Sequence, residues 1–138
     1  MSELYVETSA ILTWLLAEKR ADEVRGAVDA AETVVTSSLT LAEVERALLR
    51  AESDGTLRAG DGQRLRGLLQ RARAGWTRMA VSEEVLDRAS RPFPVEPVRT
   101  LDAVHLATAL VFTRAFAGLR VFSFDRRILD NAAALGIG

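Results

Sequence analysis

The 138-residue chain has no cysteine and a single histidine, His105. The first absence excludes disulfides, thiolate metal sites and cysteine nucleophiles together, and the second excludes a histidine-ligated zinc cage. Any metal ion must therefore be held mainly by oxygen, which points to hard cations such as Mg2+ or Mn2+. No apolar run approaches the roughly 18 residues of a bilayer span, and the N-terminus lacks the basic-then-apolar pattern of a secretory signal. A cytoplasmic protein with no membrane association is expected. Excess positive charge is missing too: the net charge of −1 argues against a protein that coats nucleic acid electrostatically. Lys19 is the only lysine, so the cations are almost all arginine, whose planar fork suits phosphate as well as carboxylate.

What remains is 49% hydrophobic and 27% charged, the composition of a globular chain, and its length suits one domain over 1–138. Apolar periodicity predicts strands over 4–6, 33–36, 76–81 and 121–125. Helices are predicted over 10–19, 22–31, 39–52, 61–74, 82–90 and 100–111, with a last one from Arg126 to about Leu135. The only proline cluster, Arg91-Pro-Phe-Pro-Val-Glu-Pro97, is a rigid connector, since too little chain follows it for a second core. Strands alternating with helices imply an α/β fold, a parallel sheet covered on both faces.

The chain is organised around Arg99-Thr-Leu-Asp-Ala-Val-His-Leu-Ala-Thr-Ala-Leu110 and, further on, Val121-Phe-Ser-Phe-Asp-Arg-Arg127. The first is a helix apolar on nearly every side, hence buried, yet its first turn carries Asp102. The second is a strand closing on Asp125. Glu7 follows the first strand, and Glu43 lies on the helix after the second. Each acid has an ordinary explanation. Asp125 fits a helix cap, Asp102 fits the positive end of a helix capped by Thr100, and Glu43 completes a capping box with Thr40. Glu7 fits worst, because a carboxylate directly after a buried strand needs a partner. Four carboxylates converging on one sheet edge would repel one another unless a divalent cation reversed the cost, the arrangement of metal-assisted phosphoryl transfer.

Tyr5-Val-Glu-Thr-Ser-Ala10, Val35-Thr-Ser-Ser-Leu-Thr-Leu-Ala-Glu-Val44, Leu101-Asp-Ala-Val-His-Leu-Ala-Thr-Ala109 and Ser123-Phe-Asp-Arg-Arg127 together resemble the PIN-domain ribonucleases, especially VapC-type toxins of toxin–antitoxin pairs. The resemblance spans essentially the whole chain. It implies a three-layer α/β/α fold around a short parallel sheet of four to five strands. It also implies hydrolysis of RNA phosphodiesters with Mg2+ or Mn2+ held by Glu7, Glu43, Asp102 and Asp125, supported by Ser9 and Ser123. A homodimer and a cognate antitoxin are implied partners. The antitoxin's C-terminal segment is expected to fold into a groove lined by helices 10–19 and 39–52 and to place an arginine among the carboxylates.

Two departures matter. The family's first acid is an aspartate, whereas Glu7 is one methylene longer, so a PIN-like interaction module with weakened catalysis is the alternative. The chain also closes at Gly136-Ile-Gly138, where relatives continue into a final strand, so that edge strand is expected to be short or missing. An aspartyl-phosphate phosphatase is disfavoured, because no Asp-x-Asp pair follows the first strand. His105 shares a helix stripe with Leu101, Val104 and Thr108 and reads as a hydrogen-bonded core histidine rather than a catalytic one. Glu45 rivals Glu43 but lies near the Leu41, Val44 and Leu48 stripe. Six arginines between Gly55 and Arg78 face one acid, Asp61; they fit a solvated helix face or, more pointedly, contact with an RNA backbone.

Overall fold

The structure is a computed structural model and describes residues 2–138. Four short strands, β1 (Glu3–Val6), β2 (Thr33–Ser37), β3 (Thr77–Met79) and β4 (Arg120–Phe122), form one parallel sheet in the order β3-β2-β1-β4. The chain builds outward from β1 to β3 and then returns to the far side of β1. The reversal lies between β1 and β4, the place where an open parallel sheet leaves a crevice beyond its carboxyl ends.

Side chains alternate across the sheet. Tyr5, Val35 and Val121 face a layer made by α6 (Thr100–Phe112) and α7 (Arg126–Ala134), through Leu106, Ala109, Phe112, Ile128 and Ala132. Val6 and Val34 face the opposite layer, built from α1 (Thr8–Leu15), α2 (Ala21–Ala30), α3 (Ser38–Ser53) and α4 (Asp61–Ala72). This is the expected three-layer α/β/α arrangement with four strands. Helix α6 is apolar all round because it has neighbours on both sides: the sheet on one, and Val85 of α5 (Glu83–Ala89) against Val104 and Ala107 on the other. Residues 102–109 are buried without a break, and the alanines among them let the neighbours approach closely.

Several boundaries differ from expectation. The first helix runs Thr8–Leu15 instead of 10–19, because its apolar face ends at Leu15 and the exposed residues 17–20 turn the chain back. Ala17 and Arg20 adopt left-handed backbone there, at φ 51° and 78°. The third strand is Thr77–Met79 rather than 76–81, and a 3-10 turn over Arg73–Gly75 shortens the helix before it. The fourth stops at Phe122, so Asp125 lies in the loop beyond it. Beyond β4, among the described residues, no fifth strand forms; the Val121 N–H donates to the Ile137 carbonyl at 2.7 Å, a single ladder bond.

The packing generates a contrast within α6. Leu106 is fully buried whereas Leu101 is 50% exposed, although both belong to the apolar pattern of the sequence. Leu106→Ala is expected to cost about 2–5 kcal/mol, and Leu101→Ala to stay within about 0.5 kcal/mol. Chemical denaturation of the two variants checks this; equal costs would mean that α6 is not held as described.

Candidate active site

Glu7 sits at the step from β1 into α1 and acts as the helix N-cap, its Oε2 accepting from the Ser9 N–H at 3.1 Å. Its Oε1 accepts from the hydroxyls of Ser9 and Ser123, both at 2.6 Å. Ser123 belongs to the loop after β4, so these bonds tie the two strand ends at the sheet reversal. Backbone donors complete the knot: the Phe124 N–H donates to Ser9 Oγ at 2.8 Å, and the Asp125 N–H to Ser123 Oγ at 3.0 Å. Asp125 in turn caps α7, its Oδ1 accepting from the Arg127 N–H at 2.9 Å. The partner that a buried carboxylate after β1 requires is thus a pair of serines.

Glu43 is satisfied differently. Its Oε1 accepts from Thr8 Oγ1 at 2.6 Å and from His105 Nε2 at 2.5 Å. The other ring nitrogen, Nδ1, meets the buried Tyr5 hydroxyl at 2.9 Å. Burial above all raises the tyrosine pKa far beyond its ordinary value, so the phenol keeps its proton. The Nε2–H tautomer satisfies all three groups, with Tyr5 donating to the ring and the ring donating to Glu43. Burial pushes the Glu43 pKa up, but the hydrogen bonds from His105 and Thr8 outweigh it and hold the carboxylate below its usual range.

Asp102 has the least help. Its helix is capped at Arg99 without a side-chain bond, and its Oδ2 is buried with no hydrogen-bond partner. The nearest cation is Arg99 Nε at 3.5 Å, on a side chain 70% exposed. Burial and then the negative charge of Asp125 raise the Asp102 pKa above its ordinary value, with Arg99 opposing them.

Residues 4–135 match the PIN domain. The chain belongs to the PIN-domain family. It is similar to ribonuclease VapC46 of Mycobacterium tuberculosis, 36% identical over 138 residues that cover 99% of this chain and 95% of that protein. Among solved structures it resembles VapC20 of Mycobacterium tuberculosis, a sarcin-ricin loop cleaving toxin, with a TM-score of 0.67, 16% identity and coverage of 98% of this chain and 96% of that one. It also resembles a toxin–antitoxin complex from Klebsiella pneumoniae, with a TM-score of 0.62, 18% identity and coverage of 96% and 92%. At such identities the solved structures establish the fold.

In this PIN domain, Glu7, Ser9, Ser123 and Asp125 form one hydrogen-bonded cluster, Asp102 is coupled to it through the charge of Asp125, and Glu43 stands apart on its own relay. Two of the ordinary explanations fail and one stands. Ser37 caps α3, which puts Thr40 inside the helix and removes its capping box with Glu43. Thr100 is the first helical residue and not the cap of α6. The cap at Asp125 is real, and it leaves Oδ2 for other work. Glu45 is no rival, being ion-paired at the surface with Arg66 at 2.7 Å. His105 is buried and hydrogen-bonded as expected, with Glu43 as the partner the sequence did not name. Tyr5, Thr8 and Arg99 were missed; a hydroxyl in the middle of a buried strand was a signal for Tyr5, since such a group needs a partner.

Among the described residues no three acidic or histidine side chains are gathered tightly enough to hold one ion in common. The donor chemistry nevertheless fits a hard divalent cation. All four acids offer oxygen, and Asp102 Oδ2 is a buried carboxylate oxygen with no hydrogen bond and only the exposed Arg99 guanidinium near it.

The raised pKa of Asp102 has a stability consequence. Ionising it opposes folding; that opposition is absent below the unfolded value near about pH 4 and sets in as pH rises through the higher folded value. Asp102→Asn in metal-free buffer is therefore expected to raise Tm at pH 7, with the gain shrinking as pH falls toward about 4. Thermal melts across that range decide the matter, and a loss of Tm at pH 7 would show the carboxylate to be well satisfied.

Proposed function

We propose that this PIN domain is a divalent-metal-dependent endoribonuclease toxin that is neutralised by a cognate antitoxin. The observation that carries the reading is the buried Asp102 Oδ2, which has no hydrogen bond and only the exposed Arg99 guanidinium at 3.5 Å to compensate it, in a chain related over its length to a ribonuclease. Asp102 and Asp125, with Glu7, would hold Mg2+ or Mn2+, and Glu43 would hold either the ion or its water. An ion held there would supply Lewis-acid chemistry, lowering the pKa of an attacking water and stabilising charge on the phosphodiester. The chain's own contribution is positional. The Tyr5–His105 relay and Thr8 fix Glu43 Oε1 and make no bond to its Oε2, while Ser9 and Ser123 hold Glu7.

Cleavage of total RNA should require Mn2+ or Mg2+, stop with EDTA, and fall by orders of magnitude in Asp102→Asn that remains folded. Unchanged cleavage by that variant removes Asp102 from the site.

One observation favours the weakened alternative. Both Glu7 oxygens are occupied by Ser9 and Ser123, and those bonds must loosen before an ion can be held. A misplacement of about 1 Å costs on the order of 10²-fold in rate. Glu7→Asp is therefore expected to bind Mn2+ and Mg2+ more tightly and to cut faster, by titration calorimetry and RNA cleavage. No gain in either would mean that the glutamate is natively accommodated.

For the antitoxin, the structure offers a candidate seat beside the expected groove between α1 and α3. A cavity of about 240 Å3 lies between α1, α2 and α4, lined by Ile11, Trp14, Val24, Val28, Leu68 and Trp76. An apolar helix face of the antitoxin would fill it. Exposed Leu86 and Val81 around α5, with Val95 and Leu101 before and in α6, suit a homodimer contact. Light scattering at micromolar concentration should give a dimer that Leu86→Glu converts to monomer; a wild-type monomer would refute it.

A further inference from the structure

Resting on the nuclease reading, we propose that the cleft formed by Arg73, Trp76 and Arg78 docks the single-stranded RNA that flanks the cut, with a base stacked on the indole and phosphates held by the two guanidiniums. The cleft follows from the chain path. Helix α4 ends at Ala72, the 3-10 turn over Arg73–Gly75 closes with the Trp76 N–H donating to the Arg73 carbonyl at 3.0 Å, and the chain then extends into β3. Met79 of β3 packs toward the α5 and α6 side, so Arg78, one residue earlier, projects from the opposite face. Trp76 is half-buried against the α1 and α4 core, which anchors the ring and leaves part of it open. Together with Thr36 and Leu41 these side chains bound a cleft of about 320 Å3, at the lower end of the size range for small-ligand sites.

The charge of the cleft suits an anion: no acid lines it, and its two guanidiniums are unpaired, as most arginines among the described residues are. Arg66, on the same helix, is neutralised by Glu45 and Glu52 at 2.7 and 2.8 Å. Among the described residues Arg73 and Arg78 have no carboxylate within 4.0 Å, although the chain carries more acids than cations. Two unpaired guanidiniums flanking an anchored indole form the combination that binds single strands without reading sequence. Its position is right as well. Arg78 registers with Thr36, one residue before the cap of the Glu43 helix, and β3 lies two strands from β1, which leads into Glu7. At about 4.8 Å per strand that is roughly 10 Å, the length of about three stacked nucleotides.

The test is anisotropy of a fluorescein-labelled 12-nucleotide single-stranded RNA of mixed sequence, titrated with full-length protein in EDTA so that no cleavage occurs. Arg73→Ala with Arg78→Ala should weaken binding at least tenfold and flatten the salt dependence of log K by about 1.4, from about 0.7 per phosphate contact. Arg120→Ala, on the far edge strand, should change neither. In a Trp14→Phe background Trp76 is the single tryptophan, and its emission should be quenched by the RNA. Should that background fail to fold, Trp76→Phe in the native chain should weaken binding less than the arginine pair does. Wild-type binding with an unaltered double variant, or with silent Trp76 emission, overturns the cleft assignment and leaves the nuclease reading standing. A wild type that neither binds nor cuts RNA overturns both. Saturation by a glutamate-rich peptide with no RNA binding assigns the cleft to a protein partner and overturns the proposal.

Discussion

Everything at the site depends on β1 being paired on both sides. The chain lays down β2 and β3 on one side and β4 on the other, so the carboxyl ends of β1 and β4 flank the reversal and β1 connects both halves of the sheet. Four residues of parallel ladder therefore fix Tyr5 inward and Glu7 at the rim. Tyr5 aims His105 at Glu43, and Glu7 collects the serines of α1 and of the loop after β4. A shift of one residue in that register would turn Tyr5 to the opposite layer and dismantle the relay and the knot together.

The four acids are then handled unequally. Hydroxyl and backbone donors satisfy Glu7, a helix terminus takes one oxygen of Asp125, and a histidine relay takes one oxygen of Glu43. Asp102 receives only an ion pair at 3.5 Å from a solvent-exposed guanidinium, which screening weakens. A buried carboxylate costs free energy unless something compensates it, so the asymmetry marks where compensation from outside is needed. The same reasoning makes the metal-free protein less stable than its fold would allow, and a bound cation would stabilise it by mass action.

Much of this was legible in the sequence. The uniformly apolar helix around Asp102, the short β-branched runs and the strand–helix alternation gave the layers and the parallel sheet, because burial on both faces leaves a pattern that survives without structural context. The acids at element ends were visible too. What stayed hidden was pairwise: the Glu7–Ser123 and Glu43–His105 bonds join residues 116 and 62 positions apart, and no local pattern encodes such a distance. Local signals also misled where two patterns overlapped. Thr40 and Glu43 fit a capping box, yet Ser37 and Ser38 precede them, and the strand end selected Ser37 as the cap. At the end of α1, Lys19 and Arg20 suit a continuing helix by propensity alone, and the need to bury Val24 of α2 overrode it.

Arginine usage in the chain follows the same logic from the opposite sign. Most guanidiniums close to acids are spent on neighbours one helical turn away, as Arg20 is on Glu23 and Arg64 on Asp61, and such exposed pairs contribute little to stability. Removing them would leave the core intact. Arg73 and Arg78 are unpaired, as most arginines among the described residues are, but they bound one concave surface that no acid lines, and unpaired cations in a cleft raise the local concentration of anions. The acidic rim at the sheet reversal would repel a polyanion approaching alone. An arginine-lined cleft two strands away offsets that repulsion without neutralising the carboxylates, so the two charges of opposite sign can be kept on one edge of the sheet with the strand spacing holding them apart.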